Sequence, residues 1–369
     1  MIRYALLLCA GLLAALCFAC VQAPVRPFAT GPTCRADGSL FLNHLTFVQN
    51  SWNPNPMNPG DPPPQGIGTP IANTTFAAAL LNAFQLAPTV FQDRLCGLGT
   101  IFVNGSACNS LSNCLLSSWG YRASRTGTTH IAISAGLWGL TCPDGPTYAY
   151  HCFESDLLAA LLNWPAVPAP PRYAPANPAA DTFDMTILAA LAHEVGHVHW
   201  YEVMNPGHPG NGYNPNLFCG GTFFVNSWTT PIHRLPPVWR GFGDRDNSHF
   251  QPPEIATIDG DIARKDWAQA ATDLDWLYQP TQPWASFFGA LSPDEDFVET
   301  YKLYVLTNAQ SGPVANEGPL TSLPINFVTG PPENIPSTYG TPDPNNFGAP
   351  SITQKSVLAR KARCIGQTI

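Results

Sequence analysis

The sequence carries little charge. Only 11% of its 369 residues are Asp, Glu, Lys or Arg, against about 25% in an ordinary soluble protein. The net charge is −8 and no block of Lys and Arg stands out, which argues against a nucleic-acid-binding protein. Beyond the N-terminus no apolar run reaches 18 residues, so we expect no transmembrane span in the mature chain.

Apolar residues and loop-forming residues are both plentiful. Hydrophobic residues make up 45% of the chain, enough to bury a sizeable core, so the protein is not wholly disordered. The 39 Pro and 30 Gly residues predict that loops occupy much of the chain.

The N-terminus has the features of an export signal. Arg3 precedes an apolar stretch from Tyr4 to about Ala19, and we interpret 1–23 as a signal peptide. The small-residue rule places cleavage after Ala23, whereas Cys20 fits a lipoprotein box loosely and is a candidate lipid anchor. Either alternative predicts a secreted or cell-envelope protein.

The cysteines agree with export. Eight of the 11 Cys follow the signal, an even number that favours four disulfides in an oxidising compartment. None of these eight forms a Cys-x-x-Cys pair, which argues against a zinc ribbon. Short loops favour the bridges Cys108–Cys114 and Cys142–Cys152.

Proline marks the organisation of the chain. We divide it into the signal, a Pro-rich N-terminal segment (24–70), a central domain (71–307) and a Pro/Gly-rich tail (308–369), which we expect to be irregular. Within the central domain, local patterns predict a helix over Thr75–Phe84, strands at Thr100–Val103 and His130–Ile133, and a helix capped by Ser155 that runs to Trp164.

A long helix is predicted over residues 181–204. Asp181 or Thr182 can cap its start, and apolar residues recur at helical spacing to form a buried stripe, namely Leu188, Leu191, Val195 and Val198.

This helix carries the motif with the clearest chemistry. His193 and His197 are four residues apart and share one face, with Glu194 beside them. This is the His-Glu-x-x-His arrangement of zinc hydrolases. Zinc takes two imidazole nitrogens and a third protein ligand and keeps one position for water, while Glu194 would act as general base. Gly196, unfavourable inside a helix, predicts a close approach by another part of the chain.

We expect the third ligand to lie outside this helix. A His-x-x-Gly-x-x-His extension would need Gly at 200 and His at 203, where Trp200 and Val203 stand. His199 points some 200° away from His197, so we expect it to be structural. Downstream, Ser292 and Pro293 open a helix that carries Glu295 and Glu299.

Together the two pieces resemble the gluzincin metallopeptidases, in particular the group that includes the anthrax lethal factor protease domain. The resemblance implies Glu295 as the third zinc ligand and Glu299 as the carboxylate that supports a histidine. It also implies an α+β zincin fold, with an upper lobe of twisted sheet and His-Glu-x-x-His helix over a mainly helical lower lobe. The group often has an oxyanion-stabilising Tyr where this chain has Phe288.

Two points stay open in this ligand set. Ser292-x-x-Glu295 also fits a capping box, in which case Glu299 could ligate in place of Glu295. The oxyanion donor is unassigned, with several candidates, namely Tyr301, Tyr278, His233 and His249.

The function expected is secreted, zinc-dependent hydrolysis of peptide bonds in a peptide or protein substrate. The strand His130–Ile133 could be the sheet edge that pairs with an extended substrate. Two alternatives fit the same residues: an amide hydrolase of the cell wall or envelope, and a non-enzymatic binding module on a zincin scaffold. The intact Glu194 argues against the binding module.

Overall fold

The computed structural model describes part of the chain. The described residues are 34–35, 38–43, 45–48, 69–70, 74–98, 100–105, 115, 118–122, 129–143, 145–165, 172–175, 179–204, 253–277, 285–291, 293–309, 325–328 and 365. Their helices are α1 (Gly38–Leu42), α2 (Ala77–Leu86), α3 (Thr89–Gly97), α4 (Tyr150–Leu161), α5 (Phe183–Met204), α6 (Pro253–Arg264), α7 (Trp267–Leu277) and α8 (Pro293–Thr307). Their strands are β1 (Leu45–Val48), β2 (Thr69–Pro70), β3 (Thr100–Asn104), β4 (Trp119–Arg122), β5 (Thr129–Ser134), β6 (Arg172–Pro175) and β7 (Ile325–Val328).

Five strands form a mixed sheet in the order β2-β1-β3-β5-β4. The three inner strands are parallel, with Ile101 of β3 opposite Leu45 and Ile131. The outer strands β2 and β4 are antiparallel to their neighbours. The prediction that His130–Ile133 forms an edge is therefore wrong. Its consecutive residues Ile131–Ile133 are buried on both faces of the sheet, as expected of an interior strand.

Helix α5 is the centre of the packing. It contacts β4 and β5 of the sheet and also α2, α4 and α8. The predicted stripe is confirmed, because its four residues are fully buried. The burial extends further than a stripe: every residue from Met185 to Ala192 is buried, so neighbours enclose the first half of α5 on all sides.

The start of α5 is capped by Thr182. Its Oγ1 accepts a hydrogen bond from the backbone N–H of Met185 at 3.2 Å. Asp181, the alternative cap, binds His151 instead, accepting from its backbone N–H at 2.9 Å and lying 2.5 Å from its Nδ1. This contact ties the beginning of α5 to α4.

Helix α4 begins earlier than the sequence predicted. Ser155 is not its cap but lies in its second turn, where its Oγ donates to the carbonyl of His151 at 2.6 Å. The same hydroxyl accepts from the backbone N–H of Tyr173 in β6 at 2.9 Å. A serine whose hydroxyl donates to the carbonyl four residues earlier can lie inside a helix. The presence of Ser155 therefore did not mark the start of α4.

Two disulfides join described residues. The predicted Cys142–Cys152 bridge is confirmed, and a second bridge links Cys34 to Cys96 at the end of α3. The predicted partners Cys108 and Cys114 lie outside the described residues. His151 also lies beside Cys142 and Cys152, but the disulfide already uses both sulfurs.

The proline-rich segments contribute strands. β1 lies in 24–70 and pairs with β3, whereas β7 lies in 308–369, where we expected irregular structure, and pairs with β6. No helix among the described residues is long and apolar enough to cross a membrane. The signal region with Cys20, the capping residue Ser292 and the candidates Tyr278, His233 and His249 lie outside the described residues.

Candidate metal centre

Helices α5 and α8 bring the predicted ligands together. His193 and His197 lie one turn apart on α5, with ring centroids separated by 4.9 Å. Helix α8 packs along α5 at Gly196, where an added Cβ would lie 3.3 Å from the Cα of Val298. The close approach predicted from Gly196 is therefore an approach of the α8 backbone. It places Glu295 opposite both imidazoles.

The three side chains form a triangle of ligand atoms. The two Nε2 atoms of His193 and His197 are 3.2 Å apart. One oxygen of Glu295 lies 3.6 Å from the first of these nitrogens and the other lies 3.7 Å from the second. Two atoms bound at about 2.05 Å to one tetrahedral zinc lie about 3.3 Å from each other. Two imidazoles and one carboxylate at this spacing fit such an ion.

Glu299 contacts the ring nitrogen of His193 that does not belong to the triangle. Its Oε1 lies 2.7 Å from Nδ1 of His193, and the carboxylate is fully buried. Burial would raise the pKa of Glu299, but Lys302 and the hydrogen bond from His193 outweigh it and hold that pKa well below its usual range. An ionised carboxylate only accepts hydrogen bonds. In its neutral form His193 therefore donates through Nδ1 and presents the lone pair of Nε2 to the triangle.

A buried charge network surrounds Glu299. Lys302 Nζ lies 2.7 Å from Oε2 of Glu299 and 2.8 Å from Oε1 of Glu154 on α4. Ser286 donates its hydroxyl to the same Oε2 at 2.5 Å. Sequence reasoning missed these three residues. A signal existed for Glu154 and Lys302, since each is a charge within an apolar helix face.

The remaining groups at the centre are deeply buried. Burial, followed by repulsion from Glu299, raises the pKa of Glu194 well above its usual value. None of the described residues donates a hydrogen bond to Oε2 of Glu194. Burial lowers the pKa of His197 well below its usual value, and electrostatic repulsion from His193 lowers it further. His197 is thus a neutral imidazole at neutral pH, the form that binds metal.

Two neighbouring aromatic residues, Phe288 and Tyr301, pack against histidines of α5. Phe288 stacks on His193 with ring centroids 5.1 Å apart, so this position fixes the imidazole and offers no hydroxyl. The oxyanion candidate Tyr301 is fully buried between Phe91, Phe297 and His199. This places its ring in the core on the side of α5 that carries His199.

His199 is structural, as the sequence predicted. It is fully buried, and Arg94 of α3 approaches its Nδ1 to 3.0 Å. Burial, followed by the charge of Arg94, lowers the pKa of His199 well below its usual value. The residue links α5 to α3 and takes no part in the triangle of ligand atoms.

Comparison of the chain with protein-family models, curated proteins and solved structures finds no match. The geometry of the site is therefore the support for a function.

Proposed function

We propose that the chain is a zinc-dependent hydrolase of peptide bonds. The observation that carries this proposal is the triangle of His193, His197 and Glu295, with the buried carboxyl group of Glu194 adjacent on the same helix. Two imidazoles and one carboxylate leave a tetrahedral ion with one open position, which is the ligand count of catalytic zinc sites. A purely structural zinc site would have four protein ligands.

The surroundings of His193 and His197 favour the binding of a metal ion. His197 is neutral because burial lowers its pKa, and His193 presents Nε2 because Nδ1 faces the ionised Glu299. When bound, Zn²⁺ would supply Lewis acidity and lower the pKa of a water molecule to about 7. These three side chains thus provide binding and orientation, and Glu194 provides the proton transfer.

Glu194 is the proposed general base. It lies three residues before His197 on α5, so the two side chains neighbour each other on the helix surface. Its carboxylate would accept a proton from the attacking water and deliver it to the departing amine. A cation at the triangle would oppose the raised pKa of Glu194, because an opposite charge favours the ionised carboxylate.

Among the described strands, β4 offers an edge at which an extended substrate could pair. Strand β4 ends the sheet among the described strands and contacts α5, the helix that carries the motif. Peptides commonly bind by adding a strand to such an edge. We therefore assign substrate pairing to Trp119–Arg122 in place of His130–Ile133.

The other parts of the proposal follow the resemblance and the cysteines. The mixed sheet and the contacts of α5 with that sheet and with α8 support an α+β zincin fold of the gluzincin type. Two disulfides among the described residues support an extracytoplasmic protein, secreted or held at the cell envelope.

The test is hydrolysis by the oxidised mature chain loaded with zinc. We would incubate it with a broad peptide library and, separately, with purified cell wall, and identify products by mass spectrometry. The proposal predicts cleaved peptides, and a strong loss of cleavage in the Glu194→Gln protein. Release of cell-wall fragments without peptide cleavage would replace peptidase with cell-wall amidase. No product from either substrate would contradict an enzyme and favour the binding module.

A further inference from the structure

We propose that Lys302 is a positioning residue of the metal centre, acting through Glu299 on His193. This inference rests on the zinc site of the proposed function. Lys302 lies on α8 and contacts neither the imidazoles nor the third ligand among the contacts described above; its influence passes through the carboxylate that it binds.

The two carboxylate oxygens of Glu299 bind different partners. Oε2 receives both Lys302 Nζ at 2.7 Å and the Ser286 hydroxyl at 2.5 Å. Oε1 faces Nδ1 of His193 at 2.7 Å. With one oxygen fixed by two donors, the carboxylate cannot rotate away from the imidazole. These contacts fix the orientation of the carboxylate.

Lys302 is itself held in place from a distant part of the chain. Its second partner is Glu154 of α4, 148 residues earlier, at 2.8 Å. The side chains of Lys302, Glu154 and Glu299 are 5%, 6% and 0% exposed. The ammonium group therefore sits between two carboxylates without access to bulk water and has one preferred position.

A contribution to folding stability does not by itself explain the buried ion pairs of Lys302. Removing charges from water is costly, and well-packed apolar residues often stabilise a core as well as a buried ion pair does. What the ion pair adds is control of His193: with Oε2 of Glu299 held by Lys302 and Ser286, Oε1 stays 2.7 Å from Nδ1. This contact favours the proton on Nδ1 and leaves Nε2 as a ligand. Partners of this kind behind metal-binding histidines commonly affect metal affinity about 10–100-fold.

The experiment measures both the tautomer of His193 and the affinity for zinc in the full oxidised chain. Nitrogen-15 NMR of the metal-free protein reports which ring nitrogen carries the proton. Competition with a chromophoric chelator gives the dissociation constant for Zn²⁺. The variants are Lys302→Met, Lys302→Arg and the milder Ser286→Ala. Leu306→Ala is the control, since Leu306 is a fully buried residue of α8 outside the network.

We expect Lys302→Met to weaken zinc binding by about 10–100-fold and to give a mixture of His193 tautomers, with Lys302→Arg recovering part of both. Ser286→Ala should shift both readouts in the same direction to a smaller extent. Leu306→Ala should lower the unfolding free energy and leave both readouts unchanged. If Lys302→Met does not fold, the Ser286→Ala protein provides the test of the inference.

Unchanged affinity and tautomer in the Lys302 and Ser286 variants would overturn the inference, as would equal effects in Leu306→Ala. A wild-type chain that binds no zinc would instead contradict the proposed function. In that case the tautomer in the metal-free chain still shows whether Lys302 acts on His193.

Discussion

Gly196 of α5 and Val298 of α8 meet where the two ligand-bearing helices pack together. A Cβ on Gly196 would lie 3.2 Å from Val298 Cγ1, 3.3 Å from its Cα and 3.4 Å from its carbonyl oxygen. Two of these three atoms belong to the backbone, which cannot yield as a side-chain tip can. The absence of a side chain at Gly196 thus sets how near Glu295 comes to the histidines.

Replacing Gly196 by alanine should destabilise the protein despite the better helix propensity of alanine. The propensity gain is about 1 kcal/mol, whereas overpacking of a tight contact costs about 1–3 kcal/mol. The new methyl group should also push α8 outward and weaken zinc binding. Urea unfolding and zinc affinity measure the two effects.

Gly260→Ala is the matched control, in helix α6. There the added Cβ meets only the Nη1 atom of Arg264, at 3.3 Å, at the tip of an exposed side chain that pairs with Asp261. The substitution should stabilise by up to about 1 kcal/mol with no change in zinc binding. If Gly196→Ala is equally stabilising, the contact between Gly196 and Val298 is not as tight as described.

Glu194→Gln should separate catalysis from metal binding. The amide keeps the size of the side chain but cannot accept the proton, so peptide hydrolysis should fall by about 10²–10⁴-fold. Zinc content should stay unchanged, because Glu194 is not among the ligands. Asp259→Asn, at an exposed position of α6, is the control for loss of one carboxylate. Full activity in Glu194→Gln would assign the proton transfer to another group.

His130 should make the protein less stable in acid. Burial lowers its pKa from 6.5 to about 4. Between these values the unfolded chain binds a proton that the folded chain does not, so the unfolding free energy falls as the pH falls from 6.5 to 4. The full shift corresponds to about 3 kcal/mol.

Urea unfolding at pH 7.5 and pH 4.5 tests this effect. The wild-type chain should lose about 2–3 kcal/mol more than a His130→Gln chain over this interval. Other groups titrate in both proteins and cancel in the comparison. Equal losses in the two chains would show that His130 does not control the acid response.

The local part of the site was predictable from the sequence, and the long-range part was not. Helical periodicity alone places His193, Glu194 and His197 on one turn, because residues four apart share a face. Glu295 and Glu299 came from a resemblance, and the structure brings both to the histidines. The pairing of Glu154 with Lys302 spans 148 residues, and no spacing rule reaches that far.

The prediction of the fold was limited in the same way, to local features of the sequence. The strands at Thr100–Val103 and His130–Ile133 were predicted from their apolar runs, and both are present. Their order in the sheet was not predictable, because an apolar run does not reveal whether a further strand covers its edge. Here β4, a short strand around Gly120, pairs outside β5 and turns the expected edge into an interior strand.

The most direct test of the account is the zinc content of the purified, oxidised chain compared with that of Glu295→Ala. Asp259→Ala removes an exposed carboxylate of α6 that is not one of the three ligands, and it is the matched control. We predict about one zinc per chain in wild type and control, and a clear loss in Glu295→Ala. Full zinc in Glu295→Ala together with loss in Glu299→Ala would contradict the ligand assignment. No zinc in any of the proteins would contradict the metal centre itself.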